Sequence, residues 1–416
     1  MRMTRRIFLK HSGIAMVGMA ALPGFLRRAV ASTERPGRRT LVVLFQRGAV
    51  DGLNVVVPYG EEHYYRLRPT IAIPRPSGSS AEGVLDLDGF FGLHPALAPL
   101  VPLYRQGTLA IVHATGSPDT TRSHFDAQDA MESGVPGVRS TTDGWLNRAL
   151  QQEPVPKPSP LRAVALSPRL PLTLRGAAPA VAVADLRQFR VVGPQQLVEE
   201  NFEAMYAETL DQFLRGVGDE TFEAVDLLKK LDPQDYRPDN GAQYPASRFG
   251  QSLREIAQLI KADVGLEVAF VDSGGWDHHV NEGAVEGRLA NLLRDLGQGL
   301  AAFATDLGDR LSDVVFVSMS EFGRTAHENG NRGTDHGHGN CMLVLGGPVR
   351  GGRVYGRWPG LAPEQLNDQR DLKVTTDYRT ILAEILTRHL AVQNLEPVFP
   401  AFEQKQPRDF LNLLRR

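Results

Sequence analysis

The chain has 416 residues and a formal net charge of −2, with 46 basic and 48 acidic side chains. This balance excludes a broadly basic nucleic-acid-binding protein, and the 42% of hydrophobic residues excludes general disorder. The single cysteine, Cys341, excludes an intramolecular disulfide framework, an iron–sulfur cluster and a cysteine-rich zinc site.

The first residues of the chain predict an export signal. Residues 4–10, Thr-Arg-Arg-Ile-Phe-Leu-Lys, resemble the twin-arginine export consensus, and residues 29–31, Ala-Val-Ala, form a cleavage site. The apolar stretch between them, residues 14–26, is shorter than the about 20 residues of a membrane-spanning helix. We therefore expect residues 1–31 to be recognised by the twin-arginine export machinery. The mature protein would then have no stable membrane span and would lie in the periplasm or outside the cell.

Six short, continuous apolar runs predict buried strands of a parallel sheet. They cover residues 41–45, 109–113, 163–166, 266–271, 314–317 and 342–345. Helical periodicity occurs between them, at residues 202–214, 222–231, 247–260, 284–311 and 378–390. This alternation predicts an α/β fold, a three-layer α/β/α sandwich with a mostly parallel central sheet. We expect a linker over residues 32–40 and a single domain with loop insertions over residues 41–416.

Polar side chains cluster where these runs end, which is where open parallel sheets form their sites. Asp51 follows the first run, although an Asp-Gly pair is also common in turns. Asp277 and His279 follow the run at 266–271, and in an extended segment they would project to the same side. His336 and His338, which precede the run at 342–345, are also two residues apart. Since the available ligands are Asp, Glu and His, these clusters predict a site for zinc, manganese, magnesium or calcium.

A further polar segment follows the run at 109–113. Residues 125–132 predict a helix that is closed by Gly134, and Ser123 is suited to cap its first turn. The N-terminus of a helix attracts anions, so Ser123 is a helix cap, a nucleophile, or both.

Four segments in this order resemble the alkaline phosphatase and sulfatase superfamily. They comprise residues 41–58, 122–134, 275–281 and 314–347. More specifically, the chain resembles a family of twin-arginine-exported bacterial proteins of unassigned function, domain of unknown function 1501, within that superfamily. The resemblance implies an alkaline-phosphatase-like α/β/α sandwich with metal ligands at strand ends.

The resemblance also implies one or two divalent metal ions, of which zinc is favoured. Asp277 and His279 resemble the mid-chain metal ligands and His338 the late one, so that these three would share one ion. Asp51, which resembles the early ligand, would hold a second ion together with Glu321.

Two departures from the superfamily pattern bear on the chemistry. An Asp-His pair usually follows the corresponding strand, whereas Glu321-Phe322 stands here, and His336 could supply the missing imidazole. The segment at 122–134 does not match the superfamily pattern clearly, so the nucleophile could be Ser123 or His124.

The function implied by the resemblance is hydrolysis of phosphate or sulfate esters, with a small-molecule or polymer ester as substrate. Ser123 would attack, Arg47 or Arg324 would hold the substrate oxygens, and His124 or His336 would act as acid or base. The alternative is a non-catalytic, metal-stabilised binding protein for a surface polymer or a partner protein. An oxidoreductase is disfavoured because no G-x-G-x-x-G segment and no haem motif is present.

Overall fold

The computed structural model describes residues 39–77, 82–139, 141–153, 155, 158–186, 235–403 and 409–415. The predicted signal peptide and the two helices predicted at 202–214 and 222–231 lie outside these residues. Within the described part of the chain, the structure contains no helix with the length and apolar character that a membrane crossing requires.

The strands are β1 Thr40–Gln46, β2 Val56–Val57, β3 Leu85–Asp86, β4 Gly92–Leu93, β5 Leu109–Gly116, β6 Ala163–Leu166, β7 Val181–Ala182, β8 Val268–Ser273, β9 Val314–Met319, β10 Asn340–Gly346, β11 Val354–Tyr355 and β12 Thr376–Asp377. The α-helices are α1 Gly52–Val55, α2 Glu62–Leu67, α3 Val101–Arg105, α4 His124–Ser133, α5 Trp145–Gln152, α6 Arg248–Lys261, α7 Arg288–Leu307 and α8 Tyr378–Arg388. Short 3-10 helices occupy Pro95–Leu100, Leu172–Leu174, Gly308–Asp313 and Pro363–Gln365.

All six predicted strands are confirmed, as β1, β5, β6, β8, β9 and β10. The three predicted long helices that fall on described residues are confirmed as α6, α7 and α8. Helix α7 is shorter than the predicted 284–311. Gly287, with a φ of 127°, precedes its first residue, and a 3-10 helix begins at Gly308.

The order of the strands places the polar segments at one edge of the sheet. In the described residues the main sheet has nine strands, in the order β11-β5-β10-β9-β1-β8-β6-β7, and β12 pairs with β5. Strand β1 is parallel to β8 and β9, whereas β10 is antiparallel to both of its neighbours, β5 and β9. The carboxyl ends of β1, β5, β8 and β9 therefore meet the amino end of β10.

Helices cover both faces of this sheet, so the predicted three-layer α/β/α arrangement is confirmed. Strand side chains alternate between the two faces. In β1, Val42 and Leu44 pack in the core that includes α6 and α7. Val43 and Phe45 pack in the opposite core, with α5 and α8. Because the central strands are buried on both faces, the positions where the loops leave the sheet are fixed by packing.

Candidate metal centre

Three histidines and one aspartate converge at this edge of the sheet. Asp277 and His279 follow β8, His336 precedes β10, and His124 is the first residue of α4, in the segment after β5. One ligand atom each from His124, Asp277 and His336 lies within 4.8 Å of the other two.

The Nε2 atom of His336 lies at the middle of the cluster. It is 3.0 Å from Nε2 of His124 and 3.0 Å from Nε2 of His279. The Asp277 carboxylate reaches all three rings: Oδ1 lies 3.0 Å from Nε2 of His279 and 3.4 Å from Nε2 of His336, and Oδ2 lies 3.5 Å from Nε2 of His124.

The other nitrogen of each ring faces an acceptor, which fixes the proton on Nδ1. The acceptors are Glu321 Oε1 for His124 (2.8 Å), Asp335 Oδ1 for His279 (2.9 Å) and the Arg122 carbonyl oxygen for His336 (2.8 Å). Metal-binding histidines almost always make this kind of outer hydrogen bond. In a neutral ring it leaves the lone pair of Nε2 turned toward the cluster.

A divalent cation would account for this arrangement of nitrogens. Nε2 of His336 has one lone pair, which can accept a proton from one neighbouring imidazole but not from two at once. Ligand atoms bound at 2.0–2.1 Å to one tetrahedral zinc ion lie about 3.3 Å apart, close to the spacings observed here. His124, Asp277 and His336 therefore fit a zinc-like ion in donor chemistry and spacing, and His279 Nε2 lies next to them, 3.0 Å from His336 Nε2 and from Asp277 Oδ1.

Glu321 is a hydrogen-bond partner of His124 outside the cluster. Its buried Oε1 accepts hydrogen bonds from His124 Nδ1, from Gln128 Nε2 at 2.9 Å and from the backbone N–H of Gly48 at 2.9 Å. Burial raises the pKa of Glu321, but these hydrogen bonds outweigh it and the pKa is lowered overall. The hydrogen bond to Glu321 in turn raises the pKa of His124. In the structure Glu321 therefore orients an imidazole, whereas the sequence predicts it as a metal ligand.

Phe322, the other member of the unusual pair, lies against two of the histidine rings. Its ring centroid is 5.0 Å from that of His124 and 5.0 Å from that of His336. This buried phenyl ring restricts how both imidazoles can rotate.

Arg324 connects three of the loops that form the centre. Its fully buried guanidinium donates to the carbonyls of Ala49 (2.7 Å) and Gly48 (2.7 Å), to that of Thr334 (3.1 Å), and to Asp277 Oδ1. Burial raises the pKa of Asp277, but the contact with Arg324 outweighs it, so the pKa is lowered. The sequence predicts a substrate-binding role for Arg324, whereas the structure shows it holding Asp277 in place.

Arg47, the other arginine predicted to hold substrate oxygens, is already paired with acidic side chains. Its Nε donates to Asp272 at 2.6 Å and its Nη1 donates to Glu132 at 2.8 Å. Two carboxylates thus neutralise its charge, so the structure shows a role for Arg47 in joining the ends of β1, β8 and α4.

The close approach of the loops also depends on Gly48. Its φ of 116° is unfavourable for other residues, and a Cβ at this position would lie 2.7 Å from the backbone nitrogen of Asp277. Only glycine lets the β1 loop run this close to the segment that carries Asp277.

Two predicted ligands lie outside the cluster. The buried carboxylate of Asp51 forms an ion pair with the buried guanidinium of Arg68, in which Nη2 lies 2.9 Å from Oδ1. In the described part of the chain, no hydrogen bond or ion pair joins the ring of His338 to the cluster. Its pKa is lowered, mainly by burial; the charge of Asp371 opposes this shift and the charge of Arg122 adds to it. The structure thus brings His336, not His338, to Asp277 and His279.

Ser123 lies at the N-terminus of α4, and its capping role is confirmed. Its Oγ accepts from the backbone N–H of Asp126 at 3.5 Å, and Gly134 ends the helix with a φ of 72°. Its neighbour His124, the second candidate for the nucleophile, instead contributes its ring to the cluster.

Sequence reasoning did not identify Asp335. Besides accepting from His279, its Oδ1 accepts from the side chain of Asn329 at 3.1 Å, which also donates to the carbonyl of His279 at 2.9 Å. The sequence feature that could have identified Asp335 is its position directly before His336. Metal-binding histidines often donate their outer N–H to a nearby carboxylate, and Asp335 accepts this hydrogen bond from His279.

Residues 38–398 match the family model DUF1501, described as a protein of unknown function, and the chain belongs to this family. The expected family is thus confirmed, while a comparison with curated proteins gives no match.

Among solved structures, the chain is similar to the PsFucS1 sulfatase from Pseudoalteromonas sp., at 14% identity and a TM-score of 0.41 over 95% of this chain and 78% of that one. It is also similar to a protein in the alkaline phosphatase superfamily from Vibrio parahaemolyticus, at 14% identity and a TM-score of 0.33 over 77% and 63% of the two chains. A phosphonate monoester hydrolase of Agrobacterium radiobacter matches at 11% identity and a TM-score of 0.31 over 84% and 74%.

Proposed function

We propose that the protein is an exported, metal-dependent hydrolase of phosphate or sulfate esters. One divalent ion, most suitably zinc, would be held by His124, Asp277 and His336 with His279 next to them, and three protein ligands would leave a fourth position open to substrate. The observation that carries this proposal is the position of His336 Nε2, 3.0 Å from two other imidazole nitrogens whose rings are fixed by acceptors at Nδ1.

When bound, such an ion supplies positive charge that polarises an ester oxygen and stabilises the negative charge of the transition state. The chain's own contribution begins at α4, whose N-terminus favours an anion beside the cluster. Ser123 Oγ is exposed there and only weakly engaged, at 3.5 Å from the backbone nitrogen of Asp126. Its oxygen would bond to phosphorus or sulfur while the ester oxygen leaves and takes up a proton. Water would then release the acid and restore the hydroxyl.

A single ion fits the described residues better than two. Asp51 is paired with Arg68, and Glu321 accepts from His124, Gln128 and the backbone of Gly48 at Oε1 and from Ser320 at Oε2. Neither carboxylate is therefore placed to hold a second ion. We expect one equivalent of metal per chain.

The experiment that tests the proposal combines elemental analysis with turnover. The purified mature protein, stripped and reloaded with zinc, manganese, magnesium or calcium, is assayed on an aryl phosphate, an aryl phosphodiester and an aryl sulfate. We expect one bound ion and hydrolysis of at least one of these esters. A tightly bound ion without turnover of any of them would instead favour the metal-stabilised binding protein.

We expect Glu321→Gln to weaken zinc binding by about 10- to 100-fold, the usual effect of losing an outer partner of a metal-binding histidine. The amide keeps the size of the side chain but lacks the charge that holds the proton on His124 Nδ1. Competition with a chelator measures the affinity. Glu328→Gln, in the same segment but hydrogen-bonded to Thr70 and Ile71, is the control and should bind zinc normally.

Ser123 variants separate the capping role from the nucleophilic role. Ser123→Ala is expected to lose about 1 kcal/mol of folding stability and to lose turnover by orders of magnitude, with the metal retained. Ser123→Asp should keep the cap but remain inactive, because its carboxylate cannot attack and repels the anionic substrate. Denaturation curves and initial rates measure both effects, and an active Ser123→Asp variant would exclude Ser123 as the nucleophile.

Export is tested at the arginine pair. Replacement of both Arg5 and Arg6 by Lys is expected to keep the uncleaved precursor in the cytoplasm, because the twin-arginine receptor reads these two side chains. Cell fractionation followed by immunoblotting measures the distribution. Normal export of the double variant would show that residues 1–31 are not read by this route.

A further inference from the structure

Two exposed apolar side chains directly follow residues of the proposed metal centre in the sequence. In the described residues, the large hydrophobic side chains that stand out as exposed are Phe125 at 89%, Val138 at 50% and Val280 at 44%. Phe125 directly follows His124, and Val280 directly follows His279. Two of the three therefore directly follow residues of the cluster in the sequence.

The direction of Phe125 strengthens this association. Phe125 lies in the first turn of α4, and side chains of a helix lean toward its N-terminus. That end carries the exposed Ser123 and the ring of His124. Phe125 is the second residue of α4, so its backbone lies in the same turn as His124 and its ring projects into solvent at this end of the helix.

An aromatic ring in this position has little role in folding. At 89% exposure Phe125 adds little to the hydrophobic core, whereas a bound molecule could cover it and displace the water around it. The face of a phenyl ring stacks on another aromatic ring and also packs on the C–H face of a sugar.

Resting on the proposed function, we propose that Phe125 is a specificity-determining residue that selects esters of ring-bearing alcohols. The anionic group of the substrate lies at the metal centre and the N-terminus of α4. The ring of the esterified alcohol, aromatic or pyranose, then packs on Phe125, next to the reacting bond. Both kinds of alcohol present an apolar ring face close to the phosphate or sulfate group.

Calorimetric titration of the zinc-loaded protein with phosphonates tests this, because their P–C bond survives ester cleavage. Wild type is expected to bind phenylphosphonate, or a pyranose C-glycosyl phosphonate, about tenfold more tightly than methylphosphonate. Comparing the two ring compounds identifies whether the ring is aromatic or a sugar. Phe125→Ala should abolish the preference while zinc content and methylphosphonate affinity stay unchanged, and Phe125→Tyr should retain it. Val138→Ala is the matched control, since Val138 is exposed but lies beyond the far end of α4.

The outcomes separate this inference from the proposed function. If Phe125→Ala weakens methylphosphonate as much as the ring compounds, or weakens none of them, the inference is overturned while the metal centre stands. If no phosphonate binds to zinc-loaded wild type, the anion site itself is absent, and the proposed function fails together with the inference.

Discussion

His336→Ala is expected to abolish both metal binding and turnover. Nε2 of His336 contacts His124 and His279 at 3.0 Å each and lies 3.4 Å from Asp277, so its removal opens the middle of the cluster. The loss of zinc affinity should exceed the about 10- to 100-fold effect of removing an outer partner. Zinc content after gel filtration and initial rates on the best ester measure the two losses.

His338→Ala is the decisive comparison, because the sequence predicts His338 as the late ligand and the structure brings His336 there instead. We expect this variant to keep one equivalent of zinc and most of its activity. His327→Ala, an exposed histidine in the same segment, serves as a second control. Loss of zinc in His338→Ala and its retention in His336→Ala would reverse the assignment.

Arg68→Ala is expected to destabilise the fold by about 3–5 kcal/mol, the usual result of leaving a buried charge without its partner. Arg68 is 0% exposed and donates to Asp51 and to Asn54 Oδ1 at 2.8 Å. Burial raises the pKa of Asp51, and the pairing with Arg68 outweighs it and lowers the pKa. Chemical denaturation measures the loss, and Arg66→Ala, at an exposed position on α2, should change the free energy of unfolding by less than about 0.5 kcal/mol.

Glu282 adds a pH dependence to this buried group. Burial and the adjacent Asp51 carboxylate raise the pKa of Glu282 well above its ordinary value of 4.5. Its contribution to stability is complete below pH 4.5 and is lost as the pH rises through the folded-state pKa. Glu282→Gln, which keeps an N–H donor for Asp51, should show a free energy of unfolding that depends less on pH above 4.5. Stability of wild type that does not fall with rising pH would contradict this pairing.

Asp51→Asn then tests the remaining sequence prediction for this residue. Because Asp51 faces Arg68 and not the cluster, the variant should be less stable yet bind one equivalent of zinc per folded chain. Loss of zinc from protein that is still folded would return Asp51 to the metal site.

The strands were predictable because each central strand is buried on both faces and is therefore a continuous apolar run. Asp277 and His279 were predictable for a related reason, since they directly follow such a run. Spacing could not choose between His336 and His338, because both precede β10 and in an extended segment they would project to the same side. The choice depends on a distant contact, the hydrogen bond from His336 Nδ1 to the carbonyl of Arg122.

Arg68 illustrates a different limit of sequence reasoning. It comes 17 residues after Asp51 and follows a short helix, in no recognisable motif. An aspartate beyond a buried strand suits a metal ion or an arginine equally well, since either neutralises a buried carboxylate. Only the structure shows that the cation beside Asp51 is Arg68, a side chain of the same protein.

The reversed direction of β10 has a consequence for how this protein can diversify. The chain leaves the sheet after Met319 and re-enters it at Asn340, so residues 320–339 start and finish at the same edge. Near the tip of this excursion, a side chain at Gly330 would meet nothing within 4 Å. Added residues there would cost little loop-closure entropy, and they would lengthen the turn in which Asn329 Oδ1 accepts from the backbone N–H groups of Asn331 and Gly333. A longer loop at this tip would therefore diversify the surface at one edge of the sheet without altering the order of the strands.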